Sequence, residues 1–487
     1  MSTPLFFIVF AVLATLLMGG FLLLVWLGRP RGSGQSGDLR LHAVARDVYL
    51  FRGYFSNAVV WVLPERVVLI DTLISPETAR MMRAAIQAVT PKPITHVILT
   101  HYNGDHVGGT TEFPEAELIC TEETARLMVE RDDERRTYVE AFGLIAHAYP
   151  PVAKPTRTFS GSLTLELDGE TLELRQLGAV ETADACVVWW PARRALAVGD
   201  GVATAGFPFT GAPVVDEGLR DDGQWIGFLE RVEALGADVL LPGHGPALVG
   251  RGRIAARLAL LRQVFGDVVR VTCEERARGG AVPDMVARAE ARLQKWANHP
   301  DLKQNVATLR FAIFRVLNGL DASRRGRGWW WDFRPSPLSD AERAWTSADP
   351  AAWGERALAM VGRVAKAPSV VEGTDFFKEA VRCARAGLAL GASGGAQEPR
   401  CLLVLGMLEV WSAVLLGQPM APGQQALQAA LAQGLGGSDQ RKAMFFLGKS
   451  HQYTQNDAEA DRCLRLALPR WLRWAWPLLR PRLRSVP

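Results

Sequence analysis

The first hundred residues alternate between short apolar runs and turn-forming residues. Val48–Phe51, Ala58–Val62 and Val67–Ile70 each hold four or five apolar residues bounded by charge, Gly or Pro, the pattern of buried strands. Ser75 or Pro76 then opens a helix with apolar positions through Met82 and Ile86 to about Val89, and Pro91 and Pro93 stop it. Thr95–Leu99 is the next strand, and Thr121–Arg131 the next helix. Asp132–Pro155 shows no period. Strands are predicted at Leu163–Leu167, Leu172–Leu177, Cys186–Trp190, Ala195–Val198 and Val239–Leu241, with a helix over Asp222–Leu235. Two rounds of strands followed by helices imply two packed sheets flanked by helices.

The period changes after Arg251. Leu258–Glu275, Met285–Trp296, Val306–Leu317, Ala352–Val364, Phe376–Leu390, Arg400–Leu416, Gln424–Leu431, Arg441–Tyr453 and Ala458–Leu466 all carry helical spacing. The last pair has the small/large spacing of a tetratricopeptide-like hairpin (Ala443, Gly448, Tyr453, Ala458, Ala460, Ala467), with no second copy in clear register. Leu402–Leu416 is apolar, but Glu409 at its centre and its length favour a buried helix over a membrane span.

Leu5–Leu27 is an uncharged run long enough to cross a bilayer. No Lys or Arg precedes it and bulky residues fill its end, so a retained anchor is expected rather than a cleaved signal peptide. Arg29 and Arg31 follow, which under the positive-inside rule keeps the rest of the chain on the cytoplasmic side of the membrane. The expected organisation is an anchor (1–28), a linker (29–40), a two-sheet domain (41–258), a helical extension (259–368) and a second helical region (369–487). That last region ends in a tail of interleaved Arg and Trp from Arg470 to Arg484, a composition suited to an anionic membrane interface as well as to packing.

Charge and cysteines narrow the classes. A net charge of +4 over 487 residues gives no electrostatic footprint for nucleic acid. Six cysteines with no C-x-x-C spacing give neither a zinc ribbon nor a readable disulfide framework.

Candidate chemistry sits where strands end. Thr95–Leu99 runs into His101-Tyr102-Asn103-Gly104-Asp105-His106, followed by Gly108-Gly109. Glu181, Asp200 and His244 each follow a β-type run further on. Imidazole nitrogen and carboxylate oxygen are ligands for Zn²⁺ and similar divalent ions, and a tight turn after a strand can aim several at one point. Tyr102 could contact substrate or simply pack. His96, inside the strand, reads as a core or edge residue; His42, His299 and His451 lack ligand-like neighbours, and His147 reads as a loop residue.

These segments resemble the metallo-β-lactamase superfamily, whose H-x-H-x-D-H signature matches His101 to His106 except that Asn103 replaces the second His. The resemblance covers about Leu41 to Leu258 and implies an αββα sandwich, followed here by an all-α region and preceded by a transmembrane helix. It implies one full metal pocket of Asp105, His106 and His244 with Asp200 as a shared carboxylate, a second pocket of His101, Asn103 and Glu181, and Asp71 as a supporting aspartate. Glu181 and the helical extension are similar to the alkylsulfatase branch. The implied activity is hydrolysis of an ester-like bond by a hydroxide on one or two Zn²⁺ or other divalent ions. Asp105 would be the catalytic residue that orients the hydroxide, and alkyl sulfates the first substrate class. The expected partners are an amphiphilic small molecule, a membrane on the strength of the N-terminal run and the basic tail, and, by analogy with that branch, a second copy of the chain. Asn103 leaves three occupancies open: one ion, two ions, or a degenerate site on a scaffold that binds a partner through its helical half.

Overall fold

The computed structural model describes residues 39–53, 56–132, 151–208, 224–302, 308–320, 337–364, 366–367, 370–393, 397–416, 419–454 and 456–477. The expected anchor at Leu5–Leu27, His147 and the end of the basic tail lie outside them. Among the described residues, no helix is long and apolar enough to cross a membrane, and the Pro399–Leu416 helix is a buried element instead.

Among the described residues, thirteen strands form two sheets. The first comprises β1 (Arg40–Ala45), β2 (Val48–Arg52), β3 (Asn57–Val62), β4 (Val67–Ile70), β5 (Ile94–Ile98), β6 (Glu117–Thr121) and β7 (Arg157–Phe159), in that spatial order. Pairing is antiparallel from β1 to β4 and parallel from β4 to β7. The switch follows from helix α1 (Pro76–Gln87), which carries the chain back across the sheet, as a parallel pair requires. Ser75 caps that helix in a capping box with Thr78, and Pro76 occupies its first turn. The short α2 (Gly104–Val107) and α3 (Glu122–Glu130), capped by Thr121, follow.

The second sheet holds β8 (Ser162–Leu167), β9 (Glu170–Arg175), β10 (Val187–Trp190), β11 (Ala195–Ala197), β12 (Val239–Leu241) and β13 (Leu248–Val249), ordered β13-β12-β11-β10-β9-β8. Its parallel pair is β11 with β12, joined through α4 (Gln224–Ala234). β1, β7 and β13 were not among the predicted strands. β1 pairs only with β2 and keeps no fully buried residue, and β7 and β13 have three and two residues, so none carries a strong apolar run.

Period-two alternation divides each strand between layers. Val68 and Ile70 face inward with Val59, Trp61 and Ile98, against Leu172, Leu174, Val188, Trp190 and Leu241 of the other sheet. Trp61 and Trp190 meet across this interface with ring centroids 5.4 Å apart. Val67, Leu69, Val97 and Leu99 point the other way, into a layer with Met82, Ile86 and Leu127 of α1 and α3. Both faces are covered, which is why these strands read as unbroken apolar runs.

The outer face of the second sheet is covered by more chain than predicted. Helix α5 runs from Arg251 to Arg278, seven residues ahead of the expected start and straight through the expected boundary at 258. With α6 (Val282–Arg292), the short α7 (Gln294–Ala297) and α8 (Thr308–Leu320), it joins α4 in one apolar cluster against Val187, Trp189, Leu196 and Leu240. The opening Arg-Gly-Arg of α5 hid its first turn.

Beyond these come α9 (Asp340–Arg343), α10 (Pro350–Val364), α11 (Val370–Ser393), α12 (Pro399–Leu416), α13 (Ala421–Ala432), α14 (Gly437–Tyr453) and α15 (Asp457–Ala467). They pack as successive pairs, α10 on α11, α12 on α13 and α14 on α15, around two further apolar clusters.

Candidate metal centre

The candidate ligands come from strand ends of both sheets. β5 delivers His101; one turn of helix, started by the His106 amide donating to the Asn103 carbonyl at 2.9 Å, then turns Asp105 and His106 back toward it. The His101 and His106 rings lie 4.2 Å apart. From the second sheet, β11 leads to Asp200, β12 to His244, and the segment between β9 and β10 carries Glu181. The Gly243 amide donates to the Gly199 carbonyl at 2.7 Å, tying the Asp200 and His244 loops together. Gly243 has no substitute here: a Cβ would stand 2.1 Å from Asp200 Oδ1. At the first sheet, a Cβ on Gly108 would stand 2.0 Å from the Ile74 carbonyl oxygen, so the chain leaves the site pressed against the loop after β4.

Asp200 faces three imidazoles: His106 Nε2 at 3.3 Å, His244 Nε2 at 3.1 Å and His101 Nε2 at 3.8 Å. Asp105 Oδ2 lies 3.4 Å from His106 Nε2 and 3.3 Å from His244 Nε2. Glu181 Oε2 lies 3.5 Å from His101 Nε2. His101 Nε2, His106 Nε2 and Asp200 Oδ1 are buried with no hydrogen-bond partner. Ligands held ~2.1 Å from one tetrahedral ion stand roughly 3.4 Å apart, which is the spacing found here. Three buried N and O atoms at that spacing, none of them in a hydrogen bond, fit a borderline divalent cation. Two ligand groups meet the geometry: His101, His106 and Asp200, and Asp105, His106 and His244.

Asn103 is placed differently. Its amide nitrogen donates to both carboxylate oxygens of Glu181, at 3.2 and 3.0 Å. Asn103 and Glu181 are therefore brought together with each other, beside His101.

Supporting residues fix the imidazoles. Asp71 accepts from the Thr100 amide and hydroxyl, each at 2.8 Å, and its Oδ2 lies 2.8 Å from His106 Nδ1. That bond makes Nδ1 the protonated nitrogen and leaves Nε2 as the lone-pair donor. Asp71 sits at φ 63°, a left-handed conformation that Asp tolerates better than most residues and that aims its carboxylate under the site. Thr100 was not singled out from the sequence; its hydroxyl also contacts His101 Nδ1 at 2.9 Å, and its place between strand and first His was the available signal. Asn57 was missed as well. Its side-chain amide donates to the Pro242 and Gly245 carbonyls at 3.0 and 2.8 Å, bracketing His244 across 185 residues of sequence, and nothing local announces it.

Burial and mutual charge set the protonation of the site without metal. Burial weighs against charge on His106 and His244, but Asp200 and Asp105 outweigh it: His106 rises well above the ordinary imidazole range and His244 to about 10. Asp105 and Asp200 resist burial through the same histidines and stay well below the usual carboxylate range. His101, pressed down by burial and by the charge of His106, falls to about 4. Glu181 is lifted to about 8 by burial and the Asp200 carboxylate, against the pull of Arg315.

The remaining candidates separate clearly. Tyr102 belongs to the apolar layer that includes α1 and α3, and its ring lies 5.8 Å from the Arg131 guanidinium. His96 stays in β5, its Nδ1 2.8 Å from the Thr95 hydroxyl. His451 corrects an expectation: Glu459 and Cys463 of the next helix lie within reach of it, neighbours that sequence distance concealed. Glu459 is already chelated by Arg462, and Gln424 stands against His451 Nδ1, so this group is not arranged for an ion.

The metallo-beta-lactamase superfamily profile matches residues 52–244. The chain is 21% identical over 287 residues to the linear primary-alkylsulfatase of a Pseudomonas sp., covering 53% of this chain and 54% of that protein. It is 30% identical over 184 residues to the 2,4-dinitroanisole O-demethylase subunit alpha of a Nocardioides sp., covering 37% and 49%. The chain thus spans about half the length of the curated relatives it matches. Among solved structures, a metallo-beta-lactamase from Pontibacter korlensis aligns with a TM-score of 0.36 at 21% identity, over 46% of this chain and 99% of that one. A stereoselective inverting sec-alkylsulfatase from a Pseudomonas sp. aligns with a TM-score of 0.48 at 18% identity, over 89% and 66%. Residues 52–244 form a domain of the metallo-β-lactamase superfamily, in a chain similar to the alkylsulfatases.

Proposed function

We propose that the chain is a metal-dependent hydrolase of an ester-like bond in an amphiphilic small molecule, with sulfate esters of alkyl chains as the first substrate class. One observation carries the metal-dependent part: the buried, unpartnered Nε2 atoms of His101 and His106 and Oδ1 of Asp200 converge at ligand spacing. The likeness to a linear primary-alkylsulfatase and the Glu at position 181 support the substrate class.

The residues that would hold a first ion are Asp105, His106, Asp200 and His244. His101, with Glu181 and Asn103, would form a weaker second pocket, because Asn103 spends its amide on Glu181. A bound divalent ion supplies Lewis acidity and lowers the pKa of a coordinated water to about 7. The protein supplies the rest. Asp71 holds the His106 tautomer, and the Gly199–Gly243 bond keeps Asp200 and His244 in register. Asp105, at 20% side-chain exposure the most open carboxylate among the candidate ligands, can orient an attacking water.

The test is elemental analysis of the full chain purified without chelator, followed by sulfate release from dodecyl sulfate. One or two zinc ions per chain in wild type, a lower content in His244→Ala and metal-dependent sulfate release support the proposal. No bound metal after supplementation would sink it and leave a scaffold with a hydrolase fold.

A further inference from the structure

Glu181 sits in an eleven-residue stretch, 176–186, with no regular structure. A glutamate reaching from such a stretch is placed only if its backbone is held. Its ends are tied to the sheets, Gln176 to Gly161 and Cys186 to Thr100, whereas the backbone at 177, 180 and 181 is held from the helices outside them. Arg315 of α8 is 1% exposed and its Nη2 donates to the Glu181 carbonyl at 2.8 Å and toward the Val180 carbonyl at 3.3 Å. Arg231 of α4 donates to the Leu177 carbonyl at 2.7 Å. The Asp200 loop is treated alike: Arg257 of α5 donates to the Ala203 and Gly206 carbonyls, both at 2.6 Å.

We infer that Arg315 is a positioning residue, through which the helical layer outside the two sheets sets the placement of Glu181 in the metal centre. A buried guanidinium is costly unless every bond it makes is well formed. Here it faces backbone carbonyls of the loop, where a charge-assisted bond is roughly twice as strong as a neutral one. An apolar side chain of similar volume would pack at position 315 if cohesion were its only task, since its neighbours on α8 (Ala312, Ile313, Phe314, Val316) belong to the apolar cluster. The guanidinium therefore answers to the loop. Arg310, on the same helix but partly exposed, pairs instead with Glu290 of α6, which makes it a same-helix control.

This inference rests on the metal-centre reading. The experiment compares Arg315→Met, Arg315→Lys and Arg310→Met in the full chain. Two quantities are read: amide hydrogen exchange over 176–186 in chelator-treated protein, and zinc affinity by competition with a chromogenic chelator. Arg315→Met is expected to speed exchange selectively over 176–186 and weaken binding of the second zinc ion, the one beside Glu181, about tenfold or more, the usual loss when a ligand's support is removed. Arg315→Lys should recover part of both, and Arg310→Met should match wild type in both. Exchange over 176–186 no faster in Arg315→Met than in Arg310→Met overturns the inference. So does a loosened loop with unchanged zinc affinity. A wild type that takes up no zinc overturns the metal reading itself, a result distinct from zinc uptake that is indifferent to position 315.

Discussion

Asp71 is the most heavily used side chain around the centre that is not itself a ligand candidate. It is 3% exposed and gathers the Thr100 amide, the Thr100 hydroxyl and His106 Nδ1. Asp71→Ala strands all three and should lower unfolding free energy by about 3–5 kcal/mol, measured by urea denaturation, while reducing zinc content. Asn103→His tests the weaker pocket directly: zinc per chain should rise toward two, because the amide clasp on Glu181 is exchanged for an imidazole ligand. Elemental analysis with unchanged stoichiometry would contradict the proposed division into strong and weak pockets. Most of the candidate residues that the structure brings together were legible because they follow apolar runs. Asn57 and Arg315 were not, since each acts on a segment more than 130 positions away and has no local pattern.

At the scale of elements, strands were easier to find when sandwiched. β4 and β5, buried on both faces, show as runs of apolar residues; β1, β7 and β13 offer short or half-exposed patterns that periodicity passes over. Helix ends misled where a glycine sits inside a helix, as Gly252 does in the first turn of α5. The α14–α15 pair carries its own test. A Cβ on Gly448 would meet Leu464 Cγ at 2.6 Å, so these helices approach closely only because position 448 has no side chain. Gly448→Val should destabilise that pair by about 1–3 kcal/mol, read as a lower urea midpoint, without changing zinc content.

For the whole molecule, the protonation pattern makes a signed prediction for protein stripped of metal. His244, raised to about 10 from 6.5, contributes stability that is complete below pH 6.5 and disappears as pH rises through 10. Glu181, raised to about 8 from 4.5 by burial, is protonated in the fold and loses its contribution between those values. The thermal midpoint of chelator-treated protein should therefore fall as pH rises from 6.5 to 9. Zinc should flatten that fall, because the metal takes imidazole without its proton and carboxylate as the anion. A stripped protein whose midpoint is level across that range would contradict the assignment.

The seven candidate residues divide between the sheets: His101, Asn103, Asp105 and His106 follow β5, while Glu181, Asp200 and His244 belong to the second sheet. An ion in the centre is thus a rivet between two halves of the sandwich. Its binding energy would be shared by both, so a loaded molecule should open cooperatively and a stripped one part at the seam. Metal supply would then govern lifetime as well as turnover, and protein made without metal would be the form most exposed to proteolysis.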